Sequence, residues 1–269
     1  MADVQSPTPS DGKLDIMDVI NTSVKVFTEN AVVYLVLSAV LIGIPFLIYS
    51  LILVSIVGGG VSPLSGGFLV WSTLGSFVTM LFSLLLQATV IITAINQMNG
   101  RMIDFMAAIN QALQHIVPLF ILSILLAIGF TIGFALLVVP GILLMLIWAV
   151  VVPAYVAEDI EMMSAFGRSA DLTKGQRLRI LGLVVIVMLI GLAVSLVLGL
   201  VSGGSMMDPM ARYTFAGAIF STISQIVMSV LFTIGSAVLY LKLRYLIHTH
   251  LLLSFFLYVN HFYEELMIH

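Results

Sequence analysis

The sequence predicts an all-α integral membrane bundle of about six transmembrane helices, joined by short interfacial amphipathic helices. Three observations carry that prediction. Long stretches contain no Asp, Glu, Lys or Arg at all: Asn30 to Gly100, Phe105 to Ala157, Ile180 to Met207 and Tyr213 to Leu241. Charged residues make up only 9% of the chain, against roughly 25% in an ordinary soluble domain, too few to cover a water-facing surface. Once spans are laid out, almost every Lys and Arg falls on one side of them.

An apolar helix needs about 20 residues to cross the hydrocarbon core. On that measure the first span runs from about Ala31 to Val57 and the second from about Leu69 to Ile95. Val117 to Ala157 is long enough for two more and is interrupted by Pro140-Gly141. Proline lacks an amide donor and glycine adds backbone freedom, which predicts a tight turn or kink near Val139. A re-entrant or tilted hairpin over the same stretch is the competing reading, because its second half is short. The fifth span is about Ile180 to Val201 and the sixth about Ile219 to Leu241. Residues 1–12 are polar, with Pro and Ser, and read as a mobile tail. No basic region followed by an apolar core opens the chain, so no cleaved signal peptide is expected. The six-span domain occupies 13–245, and 246–269 is an atypical amphipathic tail whose Phe and Tyr suit the headgroup zone.

Six spans place Lys13, Lys25, Arg101, Arg168, Lys174, Arg177, Arg179, Lys242 and Arg244 on one side and only Arg212 on the other. Short basic loops resist translocation, so both termini are expected in the cytoplasm of a cell whose plasma membrane holds the protein. A weaker pattern precedes every second span. IMDVINTSVKVFTEN, MIDFMAAINQALQHI and MMSAFGRSADLTKGQ are each helix-compatible and moderately polar. The best register sets Asp18 against Asp104 and Ser164; chance similarity among amphipathic helices would also explain it. In the third copy Glu161, Ser164, Arg168, Asp171 and Lys174 share one helical face, and Met162, Ala165, Phe166, Ser169 and Leu172 the other. Such a helix lies in the interface with its apolar side toward lipid or the bundle.

Chemistry has few footholds here. The chain has no cysteine, which excludes disulfides, thiolate metal sites and cysteine nucleophiles. A net charge of -3 does not point to nucleic acid. His248, His250, His261, Glu264, Glu265 and His269 are the only metal-type cluster, a weak His-x-His signal in a tail without a framework. No cofactor is expected. Gln87, Thr89, Thr93, Asn96, Gln97 and Gln225 lie in or at the ends of spans. They serve either as hydrogen-bonding glue between helices or as a polar path for a substrate. The one strip where charge and helix pattern coincide is Ile160 to Leu183. Its candidate interface site comprises Arg168, Ser169, Asp171, Thr173, Lys174, Arg177 and Arg179. Anionic headgroups attract each such cation by about 1 kcal/mol, an attraction that Glu158, Asp159, Glu161 and Asp171 offset. In the plainer reading Arg168 pairs with Asp171 and the other cations only fix topology.

The stretch from Val139 through Leu183 resembles the glycerophosphoryl diester phosphodiesterase membrane domain family. The matching elements are Pro140-Gly141, Pro153 to Glu158, Ala165, Arg168-Ser169, Leu172 to Gly175, Arg179 and Gly182. Ala237 to Tyr245 is similar to that family's final span, and Lys13 to Pro45 to its entry. The resemblance covers roughly residues 13 to 245 and implies a membrane region without its enzyme. A phosphodiesterase barrel needs on the order of 250 residues of its own, and neither a His-Arg-Gly opening nor a Glu-x-Asp cluster is present. The expectation is therefore a non-catalytic accessory or scaffold whose partners are membrane lipids or another membrane protein. A permease or lipid-moving transporter using Gln87 and Gln225 is the alternative. Spans without ionisable groups disfavour proton relays and voltage sensing.

Overall fold

The computed structural model describes residues 13–101, 104–201 and 213–267, with side chains described except at 198–201 and 250–267. Among them the fold is helical with no strand. Six helices or helix pairs are long and apolar enough to cross a membrane, which makes the chain a multi-pass membrane protein. The expected tail at 1–12 lies outside the described residues.

Helix α1 (Ile16–Glu29) precedes the first span, which is α2 (Ala31–Ser38), a π-helical turn at Ala39–Gly43, and α3 (Ile44–Gly58). Helix α4 (Gly66–Met98) is the second span. Helix α5 (Phe105–Gln114) leads into α6 (Ile116–Leu136), and α7 (Val138–Ile147) with α8 (Val151–Glu158) form the fourth. Helix α9 (Met162–Thr173) leads into α10 (Arg177–Val201), and α11 (Phe215–Met267) closes the order. The segment from 246 to 267 therefore continues the sixth helix without a break. Residues 268–269 lie outside the described ones.

Prolines set where the interrupted helices begin. Pro45, Pro118, Pro140 and Pro153 each occupy the second or third residue of α3, α6, α7 and α8. A first-turn amide has no intrahelical acceptor, so its loss costs nothing there, while the ring opposes helix continuing from upstream. The turn expected near Val139 falls two residues earlier. The chain reverses at Leu137, where φ is -168° and ψ is 157°, and Pro140 belongs to the first turn of α7. Gly129, Gly133 and Gly141 then let α6 and α7 close on each other. A Cβ on Gly129 would stand 2.2 Å from the Trp148 ring, and one on Gly141 would stand 2.4 Å from Phe134. The Gly129-x-x-x-Gly133 spacing thus sets the closest approach of the two helices.

Helices α4 and α11 form the core of the bundle. The inner half of α4, including Leu86, Ala88, Val90, Ile91 and Ala94, is sealed. So are Ala237, Val238 and Tyr240 of α11. The outer faces of α2, α6 and α10 remain apolar and exposed, as lipid-facing spans must be.

The three amphipathic segments form helices where the pattern placed them, but the register shifts. Asp15 caps α1, accepting from the amides of Met17 and Asp18, and Asp104 caps α5, accepting from that of Ala107. Glu161 holds the capping position of α9 without a side-chain bond. The structural register thus aligns Asp15, Asp104 and Glu161, and next Asp18, Ala107 and Ser164. Asp18 and Ser164 match as expected; Asp104 slips by one turn. The buried residue four places past each cap is Val19, Ala108 or Ala165. From cap to span is the same length in the first and third copies, Asp15 to Ala31 and Glu161 to Arg177. From Asp104 to Ile116 it is one turn shorter.

Candidate functional site: a polar clasp at the basic end of the bundle

Helix α8 ends at Glu158, and Asp159 then turns the chain through φ 49°, ψ 43°. This left-handed conformation is rare for a residue with a side chain. Three residues later α9 starts back along α8, and the two make an antiparallel hairpin. Across that hairpin Arg168 donates to Glu158 in a fork, from Nε at 2.9 and 3.1 Å and from Nη2 at 3.0 Å. The Tyr240 hydroxyl of α11 donates to the same carboxylate at 2.8 Å, and Arg244 Nε lies 3.9 Å from it. The Glu158 side chain is 16% exposed. A carboxylate this enclosed needs several partners to offset its desolvation, and it has them. The bond to Glu158 raises the Arg168 guanidinium above its ordinary value against an opposing effect of burial, and the carboxylate's charge adds to the rise. Arg168 therefore stays charged.

Two residues past Tyr240 on α11, Lys242 Nζ meets Asp18 of α1 at 2.7 Å. Before α10, Gln176 Oε1 accepts the Leu14 amide at 3.0 Å, and Arg179 donates to the Leu14 carbonyl. Gln97, at the end of α4, accepts from the Tyr34 hydroxyl at 2.9 Å. Its own amide donates to the Val26 carbonyl at 3.2 Å and to Glu29 at 2.8 Å. The clasp thus ties the first and third capped helices to α8, α10 and α11, and Gln97 ties α1 and α2 to α4.

The predicted site residues divide. Arg168 joins Glu158 across the hairpin, not Asp171 on its own helix; Asp171 points outward and is exposed. Ser169 is buried and donates to the Ile147 carbonyl at 2.7 Å while accepting the Val150 amide at 3.3 Å. Thr173 reaches the same carbonyl at 3.4 Å. These two hydroxyls occupy the break between α7 and α8 and satisfy backbone groups that an apolar setting would otherwise leave unpaired. Arg179 holds Leu14. Lys174 is exposed like Asp171, and Arg177 is half-buried with its Nε enclosed and unpartnered among the described residues. The strip expected to offer a ligand surface is thus largely internal, with Asp171 and Lys174 facing out.

The polar residues within spans also turn inward. Thr89 donates to the Leu85 carbonyl and Thr93 to those of Thr89 and Val90, all on their own helix. Gln87 and Gln225 are half-buried. Among the described residues no cluster of His, Asp and Glu suits a metal ion; the side chains from His250 onward lie outside the described ones. Sequence reasoning passed over Glu158, Tyr240, Lys242 and Asp18 as site residues. Their signal was position: Glu158 is the first acid after a long uncharged run, and Tyr240 to Arg244 ends the last one.

A family described as Domain of unknown function (DUF7847) matches residues 14–250, nearly the whole chain. The chain belongs to this family. The match begins at Leu14, whose backbone the clasp holds through Gln176 and Arg179, and extends past Arg244. The DUF7847 domain therefore contains every contact of the clasp. Neither the comparison with curated proteins nor that with solved structures finds a match. Nothing in the family assignment links the DUF7847 domain to the glycerophosphoryl diester phosphodiesterase membrane domain.

Proposed function

We propose that this DUF7847 domain is a non-catalytic membrane scaffold of the plasma membrane, with both termini cytoplasmic, that binds lipid headgroups or another membrane protein. The observation that carries the reading is the use made of the polar groups at the basic end. Glu158, Arg168, Tyr240, Lys242, Asp18 and Arg179 are bonded to one another or to backbone. Such an arrangement holds helices in one geometry and leaves no paired acid and base poised toward a substrate. The exposed end of α9, at Asp171 and Lys174, is the surface it presents. The charge asymmetry of Lys and Arg supports the orientation. The likeness of Pro140 to Gly182 to the phosphodiesterase membrane region supports an accessory role over an enzymatic one.

The test is native mass spectrometry of the protein drawn with its surrounding membrane into nanodiscs. A bound lipid or protein that survives detergent exchange, and is lost on Lys174→Ala with the fold intact, is the expected result. A bare monomer carrying only bulk lipid would overturn the scaffold reading.

A further inference from the structure

The corrected register exposes a second pattern on the capped helices. The residue two places past each cap is methionine in all three: Met17, Met106 and Met163, exposed by 60%, 70% and 72%. In the first two copies the pattern continues outward. Asn21 and Asn110 follow four residues on, then Val24 and Leu113 three further, and all four are exposed. That spacing is one helical stripe. It lies opposite the buried face, where Val19 and Val26 of α1, and Ala108 and Ala112 of α5, meet the bundle. Each helix thus presents a pair of apolar residues around an Asn on the side away from the protein.

The surface that follows in each chain segment says what covers the other. Beyond Val24, past the exposed Lys25, Thr28 and Glu29, the exposed apolar positions of the first span begin with Val32, Leu35, Val36 and Val40; beyond Leu113, past the exposed Gln114, those of the third begin with Val117, Ile121 and Ile124. These positions recur at helical spacing. They belong to helices long and apolar enough to cross a membrane. Past Asn30 or His115, where one helix ends and the next begins, each stripe is thus followed in the chain by the lipid-facing side of the span it precedes.

From this continuity we infer that Met17 with Val24, and Met106 with Leu113, are membrane-surface anchors that dip into the acyl boundary of the leaflet at the basic end. Methionine suits the task, being long, unbranched and able to fit irregular lipid packing. Asn21 and Asn110 lie between the apolar pairs on the same stripe, and the ammonium of Lys25, beside Val24, lies 4.0 Å from the carboxylate of Glu29 one turn on. In the third copy Gly167 and Ala170 replace the Asn and the second apolar residue. Helix α9 is instead folded back on α8 and held there by Arg168 and Ser169, so its anchor is Met163 alone. Two helices grip the leaflet while the third carries the clasp. This assignment concerns a different surface from the scaffold reading and does not depend on it.

The absence of cysteine makes the test direct. Single variants Met17→Cys and Met106→Cys, with Val24→Cys and Leu113→Cys as independent reporters, are spin-labelled in nanodiscs and exposed to oxygen and to a water-soluble nickel chelate. Ile124→Cys serves as the lipid reference and Arg101→Cys, exposed between α4 and α5, as the aqueous one. The expected result is an oxygen-over-nickel accessibility ratio like that of Ile124→Cys at all four sites. A ratio like that of Arg101→Cys would place the stripes in water and overturn the inference. Exclusion of both reagents would mean that protein, from a second copy or a partner, covers them, and would overturn it equally.

Discussion

Replacing Ser169 with Ala separates the two roles its strip of sequence was expected to play. The side chain is fully buried, and its hydroxyl bridges the Ile147 carbonyl and the Val150 amide across the gap between α7 and α8. Interhelical bonds in a bilayer are worth about 0.6 kcal/mol on average. Leaving a buried amide unsatisfied adds about 1 to 3 kcal/mol. Thr173 keeps a longer hold on the Ile147 carbonyl, at 3.4 Å, which trims the loss. The net expectation is a destabilisation of about 2 kcal/mol, a factor of up to about 30 in the unfolding equilibrium. Adding Thr173→Val should deepen it, because the carbonyl then loses its second donor.

The assay is reversible unfolding in mixed micelles, followed by the fluorescence of Trp148. That ring packs on Phe166 of α9 with centroids 5.1 Å apart, so it reports the break itself. The chain's other tryptophan, Trp71, is removed as Trp71→Phe. Ser164→Ala, on the exposed face of the same helix, is the control. If Ser169→Ala unfolds no more readily than Ser164→Ala, then Ser169 does not support the broken helix and the reasoning fails. Loss of a bound ligand without loss of stability would return the residue to the ligand surface.

Glu158→Gln should loosen the α8–α9 hairpin by about 1 to 2 kcal/mol, discounted because Arg168 is a third exposed. Combining it with Arg168→Ala should cost much less than the sum of the two, since both remove one interaction; additive costs would refute the pairing. Gly129→Ala places a methyl group 2.2 Å from Trp148 and should destabilise by about 1 to 3 kcal/mol through overpacking. Gly235→Ala, with open space around it, should be neutral or stabilise by up to about 1 kcal/mol, and melting in detergent compares the two. For orientation, a membrane-impermeant thiol reagent applied to intact cells should label Leu64→Cys and leave Lys174→Cys unlabelled until the cells are opened. Labelling of both from outside would contradict the six-span arrangement.

The spans were legible because their cause is a property of single segments. A run without charge that is long enough to cross the hydrocarbon announces itself residue by residue, and Asn30 to Gly100 could be nothing else. The capped helices were legible as amphipathic segments before every second span, but their caps at Asp15 and Asp104, though local signals that need no tertiary partner, were passed over. The clasp was not. Glu158 lies ten positions from Arg168 and 82 from Tyr240, and no periodicity links them; only the left-handed turn at Asp159 and the packing of α11 bring them together. The pairing expected on one helix, Arg168 with Asp171, lost to a partner across the hairpin because the outward face of α9 has only solvent screening to offer, while Glu158 is enclosed and requires a cation.

The same contrast explains why the repeat looked irregular and yet organises the molecule. Matching like letters set Asp104 against Asp18, both acids, but the physical role of Asp104 is to cap, and the residue that caps α1 is Asp15. Aligning by role brings the methionines into step, makes the first and third copies equal in length from cap to span, and accounts for the shorter second copy as the loss of one helical turn. It also explains how the copies differ. Asp18 and Ser164 are equivalent in register, yet Asp18 binds Lys242 of α11 while Ser164 is exposed, because α9 reaches α11 through the Arg168 and Glu158 pair instead. Two copies thus attach to the same stretch of α11 by different residues, and that stretch, Tyr240 to Arg244, is where the basic residues of the last span are spent. A change there should loosen the first and third capped helices together, whereas a change at the cap of α5 should act on the second alone.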